Sequence, residues 1–389
     1  MSRTGDATTA IVGLGLTELG KVYGPSASEF AAQAVERAAA DAGMALADID
    51  GLLVSGGTAG GVTPDLQRML GLRDLRMLAQ IEAYGSTAIG MMQYATLAIQ
   101  SDMASVVACV WADTPLVREQ PSAYTRPRPR TGFASIGPAS GLIGANPQYA
   151  LAARRHMDAF GTTDDDFAAV AVAQRAWAVH NPLAQFRQPI TVADHHTSRM
   201  IADPFRLLDC CLVSNGGIAV IVTAADRAVD LRQPPVHIWG WGQGHPGYPM
   251  HRGSAFGLES GARQSGQAAM SMAGVTVEDV DLCEVYDCYT FTVIITLEDY
   301  GFCKKGEGGA FASSGALGPG GTLPTNTGGG QLSSYYAWGM TPLSEAVIQV
   351  RGDGGERQVD RHEVALVSGN GGILDHHSTL ILGKERRQR

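Results

Sequence analysis

The chain has 389 residues, of which 45% are hydrophobic and 17% are charged, so it can bury a core and is not a disordered protein. Its net charge of −9 argues against a nucleic-acid partner, because affinity for phosphate backbones depends on clustered lysine and arginine. Glycine is abundant, with 49 residues, but it lacks the triplet period of collagen. These values indicate a globular protein with two domains or one large duplicated domain.

The first third of the chain alternates short apolar runs with helical patterns. Strands are predicted at 10–12, 51–54, 77–81 and 105–111. An alanine-rich helix at 28–42 ends at Gly43, and an uncharged helix begins at Gly85. Strands that alternate with helices indicate parallel βαβ units, so the fold class is α/β.

A long insertion is predicted at about 113–204. It contains a basic, proline-rich loop at 126–130 and two helices, at 147–160 and 164–180. The chain returns to the sheet with a strand at 219–223. Because long insertions in α/β enzymes usually carry substrate contacts, we expect this insertion to lie at the functional site.

One short pattern occurs twice. A helix that ends at Gly43 is followed by an acidic turn at 48–50 and a strand at 51–54. With the same spacing, a helix that ends at Gly274 is followed by an acidic turn at 279–281 and a strand at 282–285. The repeat favours two related βαβαβ halves, residues 1–235 (with the insertion) and residues 236–389.

The cysteines and histidines predict no metal site. None of the six cysteines forms a CxxC pair, and with no export signal we expect a reducing, cytoplasmic location. The adjacent pairs His195-His196 and His376-His377 lack metal-binding spacing and are interpreted as loop or surface features. The uncharged segment 83–101 contains several polar residues, which favours a buried helix over a membrane span.

Two long motifs lie within and after the insertion. One runs from His156-Met157 through Phe160-Gly161-Thr162-Thr163 to Asn181-Pro182, and the other from Ser198-Arg199-Met200 through Asp209-Cys210-Cys211 to Ser214-Asn215-Gly216-Gly217. They resemble the thiolase superfamily, most closely its sterol-carrier-protein-x branch, and the resemblance covers nearly the whole chain. It implies a thiolase-like, five-layered α-β-α-β-α fold of two duplicated βαβαβ halves with a loop-domain insertion.

The same resemblance shows that all four catalytic positions of a thiolase are changed. Glu82 stands where the nucleophilic cysteine belongs, Tyr286 replaces the Asn or His of the second motif, and Tyr336 replaces the His of the Gly-His-Pro motif. The last motif, at 368–372, has lost its cysteine, and Gly244-His245-Pro246 is interpreted as an unrelated turn. Acyl transfer through a cysteine thioester is therefore not supported. A carboxylate at a helix start is stabilised as an anion, so Glu82 is assigned a structural or substrate-orienting role.

The two tyrosines suggest new chemistry, although both rings could also simply fill the space of the lost groups. The pattern resembles the thiolase-like aldolases of steroid side-chain degradation. That resemblance implies retro-aldol cleavage of a 17-hydroxy-steroid acyl-CoA to a 17-keto steroid and propionyl-CoA. It also implies a homodimer joined by a small partner protein with a zinc ribbon and an OB-fold, as a heterotetramer. No cofactor is implied for this chain, because CoA belongs to the substrate and zinc to the partner.

Tyr286 is assigned as the base and Tyr336 as the acid, and the reverse assignment stays open. A tyrosine base requires a pKa below the ordinary value of about 10, at about 1.4 kcal/mol per unit. Substrate contacts are expected from Glu82, Asp287, Gly328, Gly329, Gly330, Asn370, Gly371 and Gly372. Two other functions stay open: a non-catalytic acyl-CoA or lipid carrier, and a thiolase-like acyltransferase that uses another nucleophile.

Overall fold

The computed structural model describes residues 7–125, 131–247 and 255–387, so the predicted loop at 126–130 lies outside the described residues. The strands are β1 (Thr9–Leu16), β2 (Gly51–Ser55), β3 (Met77–Gln80), β4 (Val106–Asp113), β5 (Met200–Ala202), β6 (Phe205–Arg206), β7 (Gly216–Ala224), β8 (Val236–Gly244), β9 (Leu282–Glu284), β10 (Val364–Gly371) and β11 (His376–Gly383). The helices are α1 (Ala27–Ala42), α2 (Leu66–Met69), α3 (Thr87–Gln100), α4 (Ile136–Ala139), α5 (Asn146–Phe160), α6 (Asp164–Ala178), α7 (Val192–Thr197), α8 (Ala225–Ala228), α9 (Ala262–Ala273), α10 (Thr290–Tyr300), α11 (Gly308–Ser313) and α12 (Met340–Arg351). None of these helices combines the length and apolar character needed to cross a membrane.

Within the described residues, nine strands form one sheet in the order β3-β2-β4-β7-β1-β8-β11-β10-β9. Read outward from the β1–β8 junction, β1-β7-β4-β2 on one side corresponds to β8-β11-β10-β9 on the other, and β3 extends the first side by one strand. β7 and β11 run antiparallel to both of their neighbours, whereas β2 and β9 run parallel to β4 and β10. This matching order confirms the predicted duplicated α/β fold.

The repeat found in the sequence has the same backbone conformation in both halves. Gly43 and Gly274 each end a helix in the left-handed conformation, with φ of 73° and 65°, where glycine has no Cβ penalty. A 3₁₀ turn follows each of them, at Leu46–Asp48 and Val277–Asp279. The strands β2 and β9 then begin at Gly51 and Leu282, as the spacing predicted.

The helices pack in layers on this sheet. Helix α1 covers β1, β4 and β7 on one outer side, and α9 covers β8 and β11 on the other. Helices α3 and α12 touch each other and contact strands of both halves, so they form the central layer. The layers are therefore α1, the first half of the sheet, the central helices α3 and α12, the second half of the sheet, and α9. These are the five layers expected. The insertion between β4 and β7 lies over the second half, where α6 packs against α10, α11 and the π-helical turn Gly330–Ser334.

Two histidines contradict their interpretation as surface features. His195 lies in the short helix α7, not in a loop, and is fully buried with its Nε2 2.7 Å from Asp209 Oδ1. His377 is fully buried as well, with its Nε2 3.0 Å from the Tyr300 hydroxyl. Residue spacing alone gave no sign of these partners, because each partner comes from a different segment of the chain.

A buried charge cluster contacts both ends of the segment 327–345, which contains Tyr336. Arg357 donates two hydrogen bonds to Glu345, Nε to Oε1 at 2.8 Å and Nη2 to Oε2 at 3.1 Å. The Thr327 hydroxyl lies within hydrogen-bond distance of both Glu345 and Glu284. Burial, and then the charge of Glu345, raise the pKa of Glu284 well above its ordinary range. The positive charge of Arg357 thus stabilises the buried carboxyl groups of Glu345 and Glu284.

Replacing Arg357 with methionine should lower the free energy of unfolding by about 3–5 kcal/mol, because Glu345 would remain buried without its cation. Urea denaturation followed by circular dichroism would measure this loss. The matched control is Arg68→Met, since Arg68 and its partner Asp65 are 86% and 77% exposed. The control should lose less than about 1 kcal/mol. Equal, small losses in both variants would contradict the stabilising role of Arg357.

Candidate active site

The two predicted catalytic tyrosines meet in the structure. Tyr286 follows β9, and Tyr336 lies between the π-helical turn and α12. Their hydroxyl oxygens are 3.0 Å apart, and either can donate the hydrogen bond. Both side chains are buried, at 3% and 8% exposure. The pair can therefore hold and pass a proton away from bulk water.

The pKa values of the pair do not meet the requirement for a free tyrosine base. Burial raises the pKa of Tyr286 well above its ordinary value, and the hydrogen bond from Tyr336 only partly offsets this. Burial, and then the charge of Tyr286, raise the pKa of Tyr336 as well. A free tyrosine base requires a lowered pKa, and both tyrosines have the opposite shift, because desolvation outweighs the available donors. Both groups are neutral phenols at neutral pH.

The loop before α3 forms one wall of the tyrosine site. A Cβ atom on Gly85 would lie 2.1 Å from the Asn370 carbonyl oxygen and 2.3 Å from Cε2 of Tyr286. A Cβ on Gly371 would lie 2.5 Å from Cβ of Tyr84. The loop thus packs directly on Tyr286 and on the end of β10. This contact brings three of the predicted residues, Tyr286, Asn370 and Gly371, into one place.

Asn370 carries an unused hydrogen-bonding group at this site. Its side chain is fully buried, and neither Nδ2 nor Oδ1 has a partner among the described residues. A buried amide left without partners costs roughly 1–3 kcal/mol, so its retention suggests a use in ligand binding.

Glu82 lines a cavity that the two tyrosines do not line. The volume of this cavity is about 290 Å³. Desolvation raises the pKa of Glu82, although its Oε1 accepts a hydrogen bond from the Tyr84 N–H at 2.8 Å. Desolvation therefore outweighs the stabilisation of the Glu82 anion that the sequence predicted. Glu82 precedes the first turn of α3 by several residues, and the effect of a helix dipole fades within one turn.

Asp287 is hydrogen-bonded to the turn that precedes Tyr336. Its buried carboxylate accepts N–H bonds from Gln331 at 2.9 Å and from Leu332 at 3.2 Å, at the start of the π-helical turn. Burial outweighs these bonds and raises the pKa of Asp287 from 3.8 to about 7. Asp287 therefore fixes the turn that precedes Tyr336, and its predicted substrate contact stays a prediction.

The raised pKa of Asp287 predicts how stability depends on pH. Between pH 4 and 7 the folded protein binds the Asp287 proton more tightly than the unfolded chain, so this group makes stability fall as pH rises. The full effect is roughly 4 kcal/mol. Asp287→Asn removes this titration. As the pH rises from 4 to 7, the unfolding free energy of the variant should therefore increase relative to that of the wild type. A constant difference across this range would contradict the assignment.

The predicted glycines are needed by the protein itself. A Cβ would lie 2.7 Å from Glu345 Oε2 at Gly328, 2.5 Å from the Ala178 Cβ at Gly329 and 2.2 Å from Asp287 Oδ2 at Gly330. Gly329, Gly330 and Gly372 also have positive φ. Close packing and backbone conformation thus explain these glycines, and their contact with a ligand stays a prediction.

Two aromatic residues that position Tyr336 were missed in the sequence. The Tyr124 ring lies edge-on to Tyr336, with centroids 5.5 Å apart, and its hydroxyl accepts the Trp338 Nε1–H at 2.9 Å. Trp338 adopts a φ of +51°, which is unusual for a bulky residue and is found where the surroundings force it. In the sequence, these two residues were marked only by the position of Trp338, which lies two residues after Tyr336.

The fold and this site together define a thiolase-like protein with a buried tyrosine pair at the predicted site. A model described as thiolase C-terminal domain-like matches residues 242–384. The steroid side-chain-cleaving aldolase of Thermomonospora curvata is 37% identical over 97% of this chain and 98% of that protein. The 17-hydroxy-3-oxo-4-pregnene-20-carboxyl-CoA lyase of Mycobacterium tuberculosis is 38% identical over 96% and 98%. This chain belongs to the family of thiolase-like steroid side-chain-cleaving aldolases.

A solved structure agrees with this assignment. The Ltp2-ChsH2(DUF35) aldolase superposes with a TM-score of 0.89 and 35% sequence identity, and the match covers 98% of this chain and 99% of that one.

Proposed function

We propose that this protein is a carbon–carbon lyase that cleaves the side chain of a 17-hydroxy-steroid acyl-CoA by a retro-aldol reaction. The products are a 17-keto steroid and propionyl-CoA. The observation that carries the proposal is the buried contact of 3.0 Å between the Tyr286 and Tyr336 hydroxyl groups. The substrates and reactions in the names of the two relatives support the same chemistry.

The reaction moves one proton across the substrate. The 17-hydroxyl group loses its proton, the bond between C17 and the thioester α-carbon breaks, and the α-carbon gains a proton. Tyr286 accepts the hydroxyl proton while its own proton passes to Tyr336, which delivers a proton to the α-carbon. A relay of this kind needs no free phenolate, so it is compatible with the raised pKa of both tyrosines.

The direction of the relay follows from the pair's own electrostatics. The hydrogen bond from Tyr336 lowers the pKa of Tyr286, whereas the charge of Tyr286 raises the pKa of Tyr336. Any transient negative charge is therefore favoured on Tyr286, which passes its own proton to Tyr336 in the relay. This supports Tyr286 as the acceptor of the hydroxyl proton.

The thioester supplies the electron sink of the reaction. As the C–C bond breaks, its carbonyl oxygen takes up the enolate charge, which preorganised hydrogen-bond donors stabilise. We assign one of these donors to the unpartnered Nδ2 of Asn370. The acyl group needs no covalent link to the protein at any stage.

The cysteine thiols argue against the acyltransferase alternative. Burial raises the pKa of Cys288 to about 12 and that of Cys211 well above its ordinary range, so neither is a thiolate at neutral pH. The cysteine position of the thiolase motif holds Glu82. The carrier alternative would leave the buried tyrosine pair and the unpartnered Asn370 amide without a role.

We further propose that the chain is a homodimer that works with a small zinc-ribbon and OB-fold protein as a heterotetramer. The name of the solved relative, the Ltp2-ChsH2(DUF35) aldolase, joins two proteins and supports a partner of this kind. In this arrangement the present chain carries no cofactor and any zinc belongs to the partner. The cytoplasmic location inferred from the cysteine pattern stays a prediction.

Product analysis tests the proposal. The purified chain, alone and with the co-expressed partner, is incubated with a 17-hydroxy-steroid acyl-CoA, and the products are resolved by liquid chromatography and mass spectrometry. We expect equal amounts of 17-keto steroid and propionyl-CoA. Saturable binding without turnover in the complete complex would favour the carrier. An acyl-enzyme adduct in the intact mass would favour the acyltransferase.

A further inference from the structure

A small cavity lies where the segment after β9, the π-helical turn and the start of α12 meet. Its volume is about 10 Å³, which is close to the space that one water molecule needs. Its walls include Glu284, Asp287, Asn326, Ser334 and Glu345. Every residue of the wall is buried within this chain, so the shape of the cavity does not depend on how chains associate.

The Asn326 side chain gives this cavity a hydrogen-bond donor without a partner. Its Oδ1 accepts a hydrogen bond from the Val285 N–H at 2.7 Å. Because a backbone N–H can only donate, this bond fixes which atom of the amide is oxygen and which is nitrogen. The Nδ2 group is buried and has no partner among the described residues. A buried donor of this kind calls for a ligand that accepts.

Carboxyl groups give the same cavity its acceptors. Burial raises the pKa of Asp287, and the Asn326 amide is among the groups that partly offset this, although Asn326 Nδ2 makes no direct bond. The N–H and the hydroxyl group of Thr327 both lie within hydrogen-bond distance of Glu284 Oε1, at 3.0 and 2.6 Å. Oε2 of Glu284 has no such partner among the described residues. A donor and unsatisfied acceptors therefore line one space.

This mixed lining favours a neutral occupant over an ion. A cation would meet the Nδ2–H group of Asn326, and an anion would meet the carboxyl groups of the wall. Glu345 already has its cation, because Arg357 donates to it at 2.8 and 3.1 Å. Water both donates and accepts, and buried water molecules typically make about three hydrogen bonds.

We propose that this cavity binds a single water molecule, which accepts from Asn326 Nδ2 and donates to the Asp287 carboxyl group. The water keeps one hydrogen atom and one lone pair for Oε2 of Glu284, so it fits that group in either protonation state. It thereby supplies the bonds that the side chains of the wall do not make with each other.

The water connects the two segments that carry the tyrosines. Val285, which is bonded directly to Asn326, precedes Tyr286, and Asp287, which is bonded through the water, follows it. Asp287 in turn accepts the N–H groups of the turn that leads to Tyr336. Asn326 is therefore a positioning residue for the tyrosine pair. This role rests on the proposed lyase function, whereas the water site does not.

A crystal structure of the complete complex tests the water site. We expect a single density peak in the cavity, about 2.7–3.2 Å from Asn326 Nδ2 and from a carboxyl oxygen of Asp287. Crystals soaked in rubidium chloride should show no anomalous signal at this position. An empty cavity, or a rubidium signal within it, would overturn the water site, whether or not the complex cleaves the steroid.

Asn326→Asp tests the positioning role. Aspartate keeps the acceptor for the Val285 N–H and tolerates the left-handed backbone of this residue, with φ of +53°. The introduced carboxyl group can donate to the water only while it is protonated. The kcat of the variant relative to wild type should therefore fall as pH rises, by about ten- to a hundredfold, with little change in KM. The charged and titratable groups around it, Glu284, Asp287, Glu345 and Arg357, are present in both proteins.

Gln267→Glu is the matched control, because it makes the same change from amide to carboxyl group at an exposed position of α9. Its kcat relative to wild type should not depend on pH. An equally constant ratio for Asn326→Asp would overturn the positioning role. Absence of cleavage by the wild-type complex would contradict the proposed function and with it this role, while the crystal structure would still decide on the water site.

Discussion

Replacing Tyr336 with phenylalanine should lower kcat by about two to four orders of magnitude, the range typical of a lost proton-transfer group. The Tyr336 hydroxyl is 3.0 Å from that of Tyr286, so its removal breaks the relay and leaves Tyr286 without its partner. KM should change little, because the ring itself remains in place. Steady-state assays of the complete complex would measure both constants. Tyr286→Phe should give a similar loss.

Tyr335→Phe is the matched control for this prediction. Tyr335 is also buried, but its hydroxyl lies 2.9 Å from Ser344 Oγ and takes no part in the pair. This variant should lose about 1 kcal/mol of stability and keep its kcat. Near-normal cleavage by both Tyr286→Phe and Tyr336→Phe would show that the relay is wrong.

Gly85→Ala should have the second largest effect. The added methyl group would lie within 2.3 Å of the Tyr286 ring and 2.1 Å of the Asn370 carbonyl oxygen, so one of them must shift. Displacing a catalytic group by about 1 Å can cost roughly a hundredfold in rate, and we expect a loss of kcat of that order. The free energy of unfolding should fall by about 1–3 kcal/mol. Assays of cleavage and urea denaturation would measure these two changes.

Gly318→Ala is the matched control, because its added methyl group would make only an ordinary contact with the Ala173 Cβ at 3.8 Å. The control should keep both its activity and its stability. If Gly85→Ala cleaved the substrate as fast as Gly318→Ala, the close packing of the loop on Tyr286 would not be needed for catalysis.

The fold was largely predictable because its main features are local. The glycine that ends each helix, the acidic turn and the strand start of the repeat depend on neighbouring residues, and both copies were confirmed. A second local signal was overlooked. Gly13 and Gly15 on β1 and Gly240 and Gly242 on β8 allow α1 and α9 to approach closely, since a Cβ at these positions would lie 2.1–2.3 Å from helix carbonyl oxygens.

The site was predictable only where a motif marked it. The sequence positions of Tyr286 and Tyr336 followed from the thiolase resemblance, and their contact is a property of the fold. Their acidity could not be predicted, because the desolvation that raises it comes from packing of distant segments. A linear alignment was equally unable to show that Glu82 lines a cavity without the tyrosines.

Cleavage in deuterium oxide tests the central claim most directly. In the proposed relay, the proton that reaches the α-carbon comes through the tyrosine pair, whose hydroxyl groups exchange with solvent. We predict that the complete complex converts a 17-hydroxy-steroid acyl-CoA into equal amounts of 17-keto steroid and propionyl-CoA with a single deuterium at the α-carbon. Propionyl-CoA without deuterium, or acyl transfer to free CoA without formation of the ketone, would contradict the account.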